Sequence, residues 1–75
     1  MVESELLDTS GLRCPLPVLK AKKTLKGMAA GEILKILATD PDSVKDFEAF
    51  CETTGYVLEN WSEDAGVFTY FIRKT

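Results

Sequence analysis

Histidine is absent from this 75-residue sequence, and cysteine occurs only twice, as Cys14 and Cys51. The two cysteines do not form a Cys-x-x-Cys pair, and zinc sites in proteins take their ligands mainly from cysteine and histidine. The lack of histidine also excludes the Cys–His and Ser–His–Asp arrangements that activate catalytic nucleophiles. We therefore expect no metal or other cofactor, and any chemistry must use a thiol, a carboxylate, an amine or the backbone.

Long apolar runs are absent as well. No stretch approaches the roughly 18 apolar residues that a membrane-spanning helix requires, and the acidic start MVESELLD lacks the basic region of a signal peptide. Two cysteines are too few for a disulfide framework, so we expect both to be free thiols in a reducing compartment. These features predict a soluble cytoplasmic protein that does not contact a membrane.

Opposite charges occupy different parts of the chain, although the net charge is only -3. Residues 1–8 carry a net charge of -3, residues 9–35 carry +5 and residues 36–64 carry -7. The basic part follows Cys14 and includes Lys20, Lys22 and Lys23, which we expect to steer a partner protein with an acidic surface. Nucleic-acid binding is the alternative for these lysines. One basic stripe in an acidic chain is a poor phosphate-binding surface, so we expect no direct nucleic-acid contact.

The hydrophobic pattern predicts the element order β-α-β-α-β-β in one domain, residues 1–75. Strands are expected at 4–8, 32–39, 56–61 and 67–73, with a hairpin loop at 62–66. The first helix is expected over 15–28, and the second begins with Asp40 as N-cap and Pro41 as its first residue and ends at Gly55. Right-handed crossovers then give a two-layer α/β sandwich, with a four-stranded mixed sheet and both helices on one face.

The other face of that sheet is expected to be open to solvent. Apolar side chains such as Trp61 are predicted to lie on it. Two interpretations of Trp61 remain, a single exposed aromatic residue or part of a surface that docks a partner.

The two cysteines differ in their sequence surroundings. Cys51 falls in the apolar stripe of the second helix, beside Phe47 and Phe50, and apolar burial raises a thiol pKa and makes the thiol inert. Cys14 is expected at the N-cap of the first helix, where the helix dipole favours the thiolate. Because Pro17 disfavours helical geometry at the preceding residue, either that residue is strained or the helix begins at Pro17. The alternative is that Cys14 is incidental and the prolines only mark the start of the helix.

The segment Arg13-Cys14-Pro15-Leu16-Pro17 resembles the Cys-Pro-x-Pro element of the TusA-like (SirA-like) sulfur-carrier family. The resemblance covers essentially the whole chain, because further matching features follow in order. They are Asp8, Gly11-Leu12, Gly31-Glu32, Ala38-Thr39-Asp40-Pro41, Asp46-Phe47, Phe50-Cys51 and Gly55. Tyr56 departs from the pattern, since many members have histidine after that glycine.

The resemblance implies that Cys14 carries sulfur as a persulfide, supported by Asp8, Gly11, Arg13, Pro15 and Pro17. It implies a β-α-β-α-β-β carrier rather than an enzyme with its own turnover. The implied partners are a cysteine desulfurase or rhodanese-like sulfur donor and a sulfur acceptor in tRNA thiolation, molybdenum-cofactor biosynthesis or dissimilatory sulfur metabolism. We expect a monomer. A different class of function stays open, a regulatory or interaction module in which Cys14 is a redox switch.

Overall fold

The computed structural model describes residues 4–13 and 15–75. Its elements are β1 (Glu5–Thr9), α1 (Leu16–Lys26), β2 (Ile33–Ala38), α2 (Ser43–Thr54), β3 (Val57–Asp64) and β4 (Val67–Arg73). The predicted element order is therefore confirmed. Among the helices of these described residues, none is long and apolar enough to cross a bilayer.

The four strands form one mixed sheet in the order β1-β2-β4-β3. β1 pairs with β2 in parallel, and β4 pairs with β2 and β3 in antiparallel fashion. Along β2 the side chains of Leu34, Ile36 and Ala38 are buried, while the residues between them are partly exposed. This alternation places the core on one face of the sheet, under both helices, and the predicted two-layer sandwich is confirmed.

The core fills the space between the sheet and the helices. Phe47 of α2 and Tyr70 of β4 are fully buried, and their ring centroids lie 4.5 Å apart. A fully buried apolar side chain contributes about 1.5–3 kcal/mol, so this layer accounts for much of the driving force for folding. Other buried apolar side chains of this core are Ala21, Leu25, Met28, Leu34, Ile36, Ala38, Phe50, Cys51 and Ile72, and Pro17 of α1 is buried as well.

Helix α1 begins one residue later than predicted. Pro15 occupies the N-cap position with φ -96° and ψ 16°, and Leu16 is the first helical residue. The predicted cap at Cys14 and first helical position at Pro15 are therefore wrong. Pro17 has no N–H to donate, which costs nothing in the first turn. The Leu19 N–H makes an i to i−4 bond to the Pro15 carbonyl at 3.0 Å.

Helix α2 begins two residues later than predicted. The regular helix starts at Ser43 with Asp42 at the N-cap, so the assignment of Asp40 as N-cap and Pro41 as first helical residue is wrong. Asp40 instead closes a preceding turn. Its Oδ1 accepts the Asp42 N–H at 3.0 Å, and its carbonyl accepts the Ser43 N–H at 3.0 Å. At the other end, Gly55 adopts φ 81° and terminates the helix, as predicted.

The β3–β4 hairpin is tighter than the sequence suggests. The predicted loop at 62–66 is wrong, because β3 continues to Asp64 and the turn consists of Ala65 and Gly66 alone. Both turn residues have positive φ, 51° and 84°, which is the geometry of two-residue hairpin turns whose twist matches that of the strands.

A β-bulge in β3 decides which face carries Trp61. Leu58 pairs with Ile72 and Asn60 pairs with Phe71, so Glu59 is an extra residue in β3. A one-residue insertion moves all following side chains to the opposite face. Trp61 therefore pairs with the buried Tyr70 and lies on the helix-side face, and its predicted location on the open face is wrong.

Candidate functional site

The candidate site lies where β1 and β2 end, at the same edge of the sheet. Parallel neighbours finish side by side, so the loop leading from β1 to α1 meets the loop leading from β2 to α2. Together the two loops form an open depression of about 430 Å³. Its lining residues are Gly11, Leu12, Arg13, Thr39, Asp40, Pro41 and Asp42.

A hydrogen bond joins the two loops directly. The Gly11 N–H donates to Thr39 Oγ1 at 2.8 Å. Below this bond, the buried Thr9 hydroxyl donates to the Leu37 carbonyl, and the Leu12 N–H donates to the Thr9 carbonyl at 3.1 Å. Gly11 has φ +83°, a conformation that side-chain-bearing residues rarely adopt. The β1–α1 loop is therefore held at its start by β2 and by the β2–α2 loop.

Asp8 shapes the turn at the end of β1. Its exposed carboxylate accepts the Ser10 N–H at 2.9 Å, and the hydrogen bonds from Ser10 lower the pKa of Asp8 below its ordinary value. Asp8 therefore forms the turn before Gly11 and is not one of the residues that line the depression.

Cys14 lies outside the described residues, but its two neighbours in the sequence are described. Arg13 lines the depression, and both Arg13 and Pro15 are exposed. Pro17, two residues further on, is buried in the first turn of α1. The first turn of α1 contains no acidic residue, so no carboxylate of that turn opposes the positive end of the helix dipole.

The three lysines predicted to dock a partner lie on α1. Lys20, Lys22 and Lys23 are all exposed. Leu16 and Leu19 on the same helix are also exposed, at 46% and 54%. The outer surface of α1 thus combines positive charge with apolar area, which is the composition of a surface able to contact another protein.

Cys51 is buried, as the sequence predicted. Its side chain is only 6% exposed, and burial raises the pKa of the thiol to about 11. A thiol with this pKa carries almost no thiolate at neutral pH and is a poor nucleophile. Within residues 4–13 and 15–75, no group of three or more cysteine, aspartate or glutamate side chains is placed to hold a metal ion.

Reasoning from composition and periodicity did not place the β2–α2 loop beside Arg13. The pattern predicts Thr39 as the end of a strand and Asp40 and Pro41 as the start of a helix, yet these three residues and Asp42 line one side of the depression. The available signal was the βαβ order itself, because parallel strands bring their carboxyl ends to one edge.

Comparison with known proteins gives consistent matches over nearly the whole chain. The family model described as Sulfurtransferase TusA matches residues 5–74. The chain is 54% identical over 69 residues to the sulfur carrier protein TusA of Allochromatium vinosum, covering 92% of this chain and 91% of that protein. It is 45% identical over 69 residues to the sulfur carrier protein TusA of Pseudomonas putida, covering 92% and 86%.

A solved structure gives the same result for the fold. The crystal structure of a SirA-like protein from Desulfitobacterium hafniense matches with a TM-score of 0.80 and 30% sequence identity. The match covers 92% of this chain and 95% of that chain. The two-layer arrangement described above is therefore shared with an experimentally determined protein.

Proposed function

Because the chain belongs to the TusA sulfurtransferase family, whose curated relatives are sulfur carriers, we propose that it accepts sulfane sulfur as a persulfide on Cys14 and relays it to an acceptor protein. The observation that carries this proposal is the family match over residues 5–74, which includes the single Arg13-Cys14-Pro15-Leu16-Pro17 element. On this proposal the protein is a carrier with two half-reactions, and the whole chain acts as one carrier domain.

Sulfur acceptance is a thiol–persulfide exchange. The Cys14 thiolate attacks the outer sulfur of the donor's persulfide, the donor S–S bond breaks, and the donor cysteine leaves as a thiolate. Cys14 then holds the persulfide. In the second half-reaction, an acceptor nucleophile attacks the outer sulfur and Cys14 leaves as a thiolate. No net oxidation or reduction of the carrier occurs over the two steps.

A second accessible thiol would defeat this chemistry. Such a thiol would attack the inner sulfur of the persulfide, release hydrosulfide and leave a disulfide. Cys51 is 6% exposed and its thiol pKa is about 11, so its environment suppresses this side reaction. The same burial argues against a thioredoxin-like reductase, which needs a reactive resolving cysteine.

The start of α1 supplies favourable electrostatics to its surroundings. The helix dipole creates positive potential at this end. Unpaired N–H groups add little to it, because Pro17 has no N–H and the Leu16 N–H donates to the Arg13 carbonyl at 2.9 Å. Arg13 is exposed beside the same loop. Negative charge on a neighbouring sulfur, as thiolate or persulfide, is stabilised by such an arrangement.

Two classes of partner follow from a carrier role, a sulfur donor and a sulfur acceptor. We propose a cysteine desulfurase or a rhodanese-like protein as the donor. The acceptor is proposed to belong to tRNA thiolation, molybdenum-cofactor biosynthesis or dissimilatory sulfur metabolism. The exposed Lys20, Lys22 and Lys23 are proposed to contact an acidic surface on one of these partners.

Intact-protein mass spectrometry tests the proposed function. The wild-type chain, Cys14→Ser and Cys51→Ser are each incubated with a cysteine desulfurase and free cysteine, and in parallel with a rhodanese and thiosulfate. The expected result is a gain of one sulfur atom, reversed by reductant, in the wild type and in Cys51→Ser. Cys14→Ser is expected to gain none.

The outcomes separate the two classes of function. Sulfur gain in Cys14→Ser, or loss of the gain in Cys51→Ser while circular dichroism shows an intact fold, would overturn the assignment to Cys14. Absence of sulfur gain from both donors, with oxidation of Cys14 changing affinity for a bound protein, would favour the regulatory module instead.

A further inference from the structure

The helix-side face of the sheet carries a group of aromatic side chains at its β3 edge. Trp61 is the only tryptophan of the chain and is 39% exposed, and Phe68 is partly buried. The ring centroid of Trp61 lies 6.5 Å from that of Phe68 and 6.2 Å from that of Tyr70. We call Trp61 and Phe68, with Tyr70 behind them, the aromatic edge surface.

Carboxylates adjoin this surface. Glu63 pairs with Phe68 across the hairpin, so it lies on the same face as Trp61. Its Oε2 accepts the Gly66 N–H at 2.7 Å, which fixes the carboxylate at the hairpin turn, two residues from Trp61 along β3. Burial raises the pKa of Tyr70, the hydrogen bond with Ser43 lowers it, and the negative charges of Glu48, Asp40 and Asp46 raise it, so these three carboxylates act on the Tyr70 hydroxyl.

The basic side chains of the sheet strands interact with neighbouring residues on the opposite face of the sheet. Lys35 Nζ lies 5.8 Å from the ring centroid of Phe71, and Arg73 Nε lies 3.0 Å from Glu59 Oε2. The exposed lysines of α1 belong to the helix that packs on β1 and β2, at the other side of the molecule. Helix α2 carries one lysine, Lys45, against Asp46, Glu48 and Glu52. Acidic side chains therefore outnumber basic ones near the aromatic edge surface, which is complementary to a cation brought by another molecule.

We propose that the aromatic edge surface docks an arginine-bearing segment of a partner protein. A guanidinium stacks on aromatic rings and pairs with carboxylates at the same time, so it matches both features of this surface. Thr9, Ala38 and Phe68 lie in one row across the sheet. Phe68 on β4 is therefore about two strand spacings, roughly 10 Å, from the end of β1, where the loop to Cys14 begins, and Trp61 on β3 is one strand further away.

The proposal names a contact surface in addition to the lysines of α1, and it does not depend on sulfur chemistry at Cys14. The test is a titration of the full isotopically labelled chain followed by NMR. The probe is an acetylated and amidated Arg-Gly-Gly-Arg peptide, and the matched control replaces both arginines with citrulline, which keeps the shape and removes the charge. The expected result is saturable shifts of the Trp61 indole N–H and of Phe68 and Glu63 with the arginine peptide only.

Variants locate the binding site. Trp61→Leu and Glu63→Gln are each expected to weaken binding about threefold or more. Glu52→Gln removes one exposed carboxylate from the far end of α2 and serves as the matched charge control, with an expected change of less than about 1.5-fold. Cys14→Ser is expected to bind the peptide like the wild type, which separates this proposal from the proposed function.

Several results would overturn the proposal. Equal weakening by Glu52→Gln and Glu63→Gln would assign the binding to the general acidity of the chain. Equal binding of the citrulline peptide, or no shift at the Trp61 indole, would show that a guanidinium does not bind at the aromatic edge surface. Concentration-dependent shifts at the same residues without peptide would assign the surface to a second copy of this chain.

Discussion

The hydroxyl groups of Ser43 and Tyr70 form a buried hydrogen bond, with 2.6 Å between the oxygens. Ser43 is the first residue of α2, and Tyr70 lies in the middle of β4. The bond therefore fastens the start of α2, which follows the depression-lining loop, to the centre of the sheet. A buried hydroxyl that loses its partner retains the full cost of its desolvation. Removing one of the two hydroxyls therefore destabilises the fold more, per hydroxyl removed, than removing both.

The first prediction concerns that pair. Tyr70→Phe is expected to lower the free energy of unfolding by about 1–3 kcal/mol, because Ser43 keeps a buried hydroxyl without its partner. Ser43→Ala is expected to cost a similar amount, and the double variant less than the sum of the two. Urea unfolding of all four proteins measures these values. Strict additivity would show that the hydrogen bond does not couple the two residues.

The second prediction concerns the pH dependence that arises from Cys51. The folded chain raises the pKa of this thiol from 9.0 to about 11 through burial. The resulting stability is fully present below about pH 9 and is lost as the pH rises through about 11, because the unfolded chain releases the proton first. Cys51→Ala is expected to be less stable than the wild type by about 1 kcal/mol near pH 8.

The measurement is the urea midpoint of both proteins at about pH 8 and about pH 10.5. The difference between the two proteins is expected to shrink at the higher pH, because only the wild type loses the contribution of the Cys51 thiol. Titration of Cys14 is common to both proteins and cancels in the comparison. A difference that stays constant between the two pH values would contradict the assignment to Cys51.

At the scale of elements, the hairpin turn stores backbone strain at one position. Ala65 has φ 51°, whereas the other positive φ angles among the described residues belong to glycines. An L-residue in this region is disfavoured by about 1–2 kcal/mol because Cβ approaches the following carbonyl oxygen. The turn keeps this geometry because it matches the twist of the paired strands.

The third prediction follows from this strain. Ala65→Gly is expected to raise the free energy of unfolding by about 0.5–1 kcal/mol, the relief of strain being partly offset by the greater flexibility of the unfolded chain. Gly66→Ala, at φ +84° with open space around the added Cβ, is the matched variant and is expected to lower it by about 1 kcal/mol. Thermal unfolding compares the two. Changes of the same sign would contradict the backbone explanation.

The fourth prediction tests the link between the two loops of the candidate site. Thr39→Val keeps the shape of the side chain but removes the acceptor of the Gly11 N–H. It is expected to cost about 1 kcal/mol or less in stability, because the bond is exposed. Sulfur loading is expected to slow about twofold to fivefold, since the loop leading to Cys14 loses a fixed geometry.

Thr39→Ser is the control for this prediction, because it retains the hydroxyl oxygen. It is expected to load sulfur at nearly the wild-type rate, measured as the initial rate of persulfide formation with a cysteine desulfurase. A loading rate in Thr39→Val equal to that of the wild type would show that the Gly11–Thr39 bond does not influence the site.

At the scale of the whole molecule, charge is divided between the two helices. Among the residues of α1 every charged side chain is a lysine, while α2 carries Asp46, Glu48 and Glu52 against Lys45. Both helices cover the same face of the sheet, so this face is basic on one side and acidic on the other. Such a surface orients a charged partner more strongly than the net charge of the whole chain, -3, suggests.

The fifth prediction uses this division. The double variant Lys20→Glu and Lys23→Glu is expected to reduce the rate of sulfur transfer about tenfold at low salt, with a smaller reduction at high salt where surface charges are screened. Lys45→Glu, an exposed lysine on α2, is the matched control and is expected to change the rate less than twofold. Transfer rates of the double variant equal to the wild type at low salt would contradict docking by α1.

Local features of the sequence determined the elements and much of the core. The apolar spacing around Phe47 predicted the burial of Cys51, and Gly55 was correctly predicted to end α2, because a helix that stops needs a residue tolerant of positive φ. The order of strands and helices, with right-handed crossovers, was sufficient for the two-layer sandwich. These properties depend on residues that are close in the sequence, so the sequence expresses them directly.

Tertiary structure decided the face of Trp61 and the composition of the depression. Alternation along β3 predicts an outward Trp61, but the bulge at Glu59 reverses the alternation, and a bulge depends on pairing with β4. Likewise, Thr39 meets Gly11 only because β1 and β2 pair in parallel, 28 residues apart in the sequence. Register and loop contacts are set by strands that are distant along the chain, and no local pattern in this sequence encodes them.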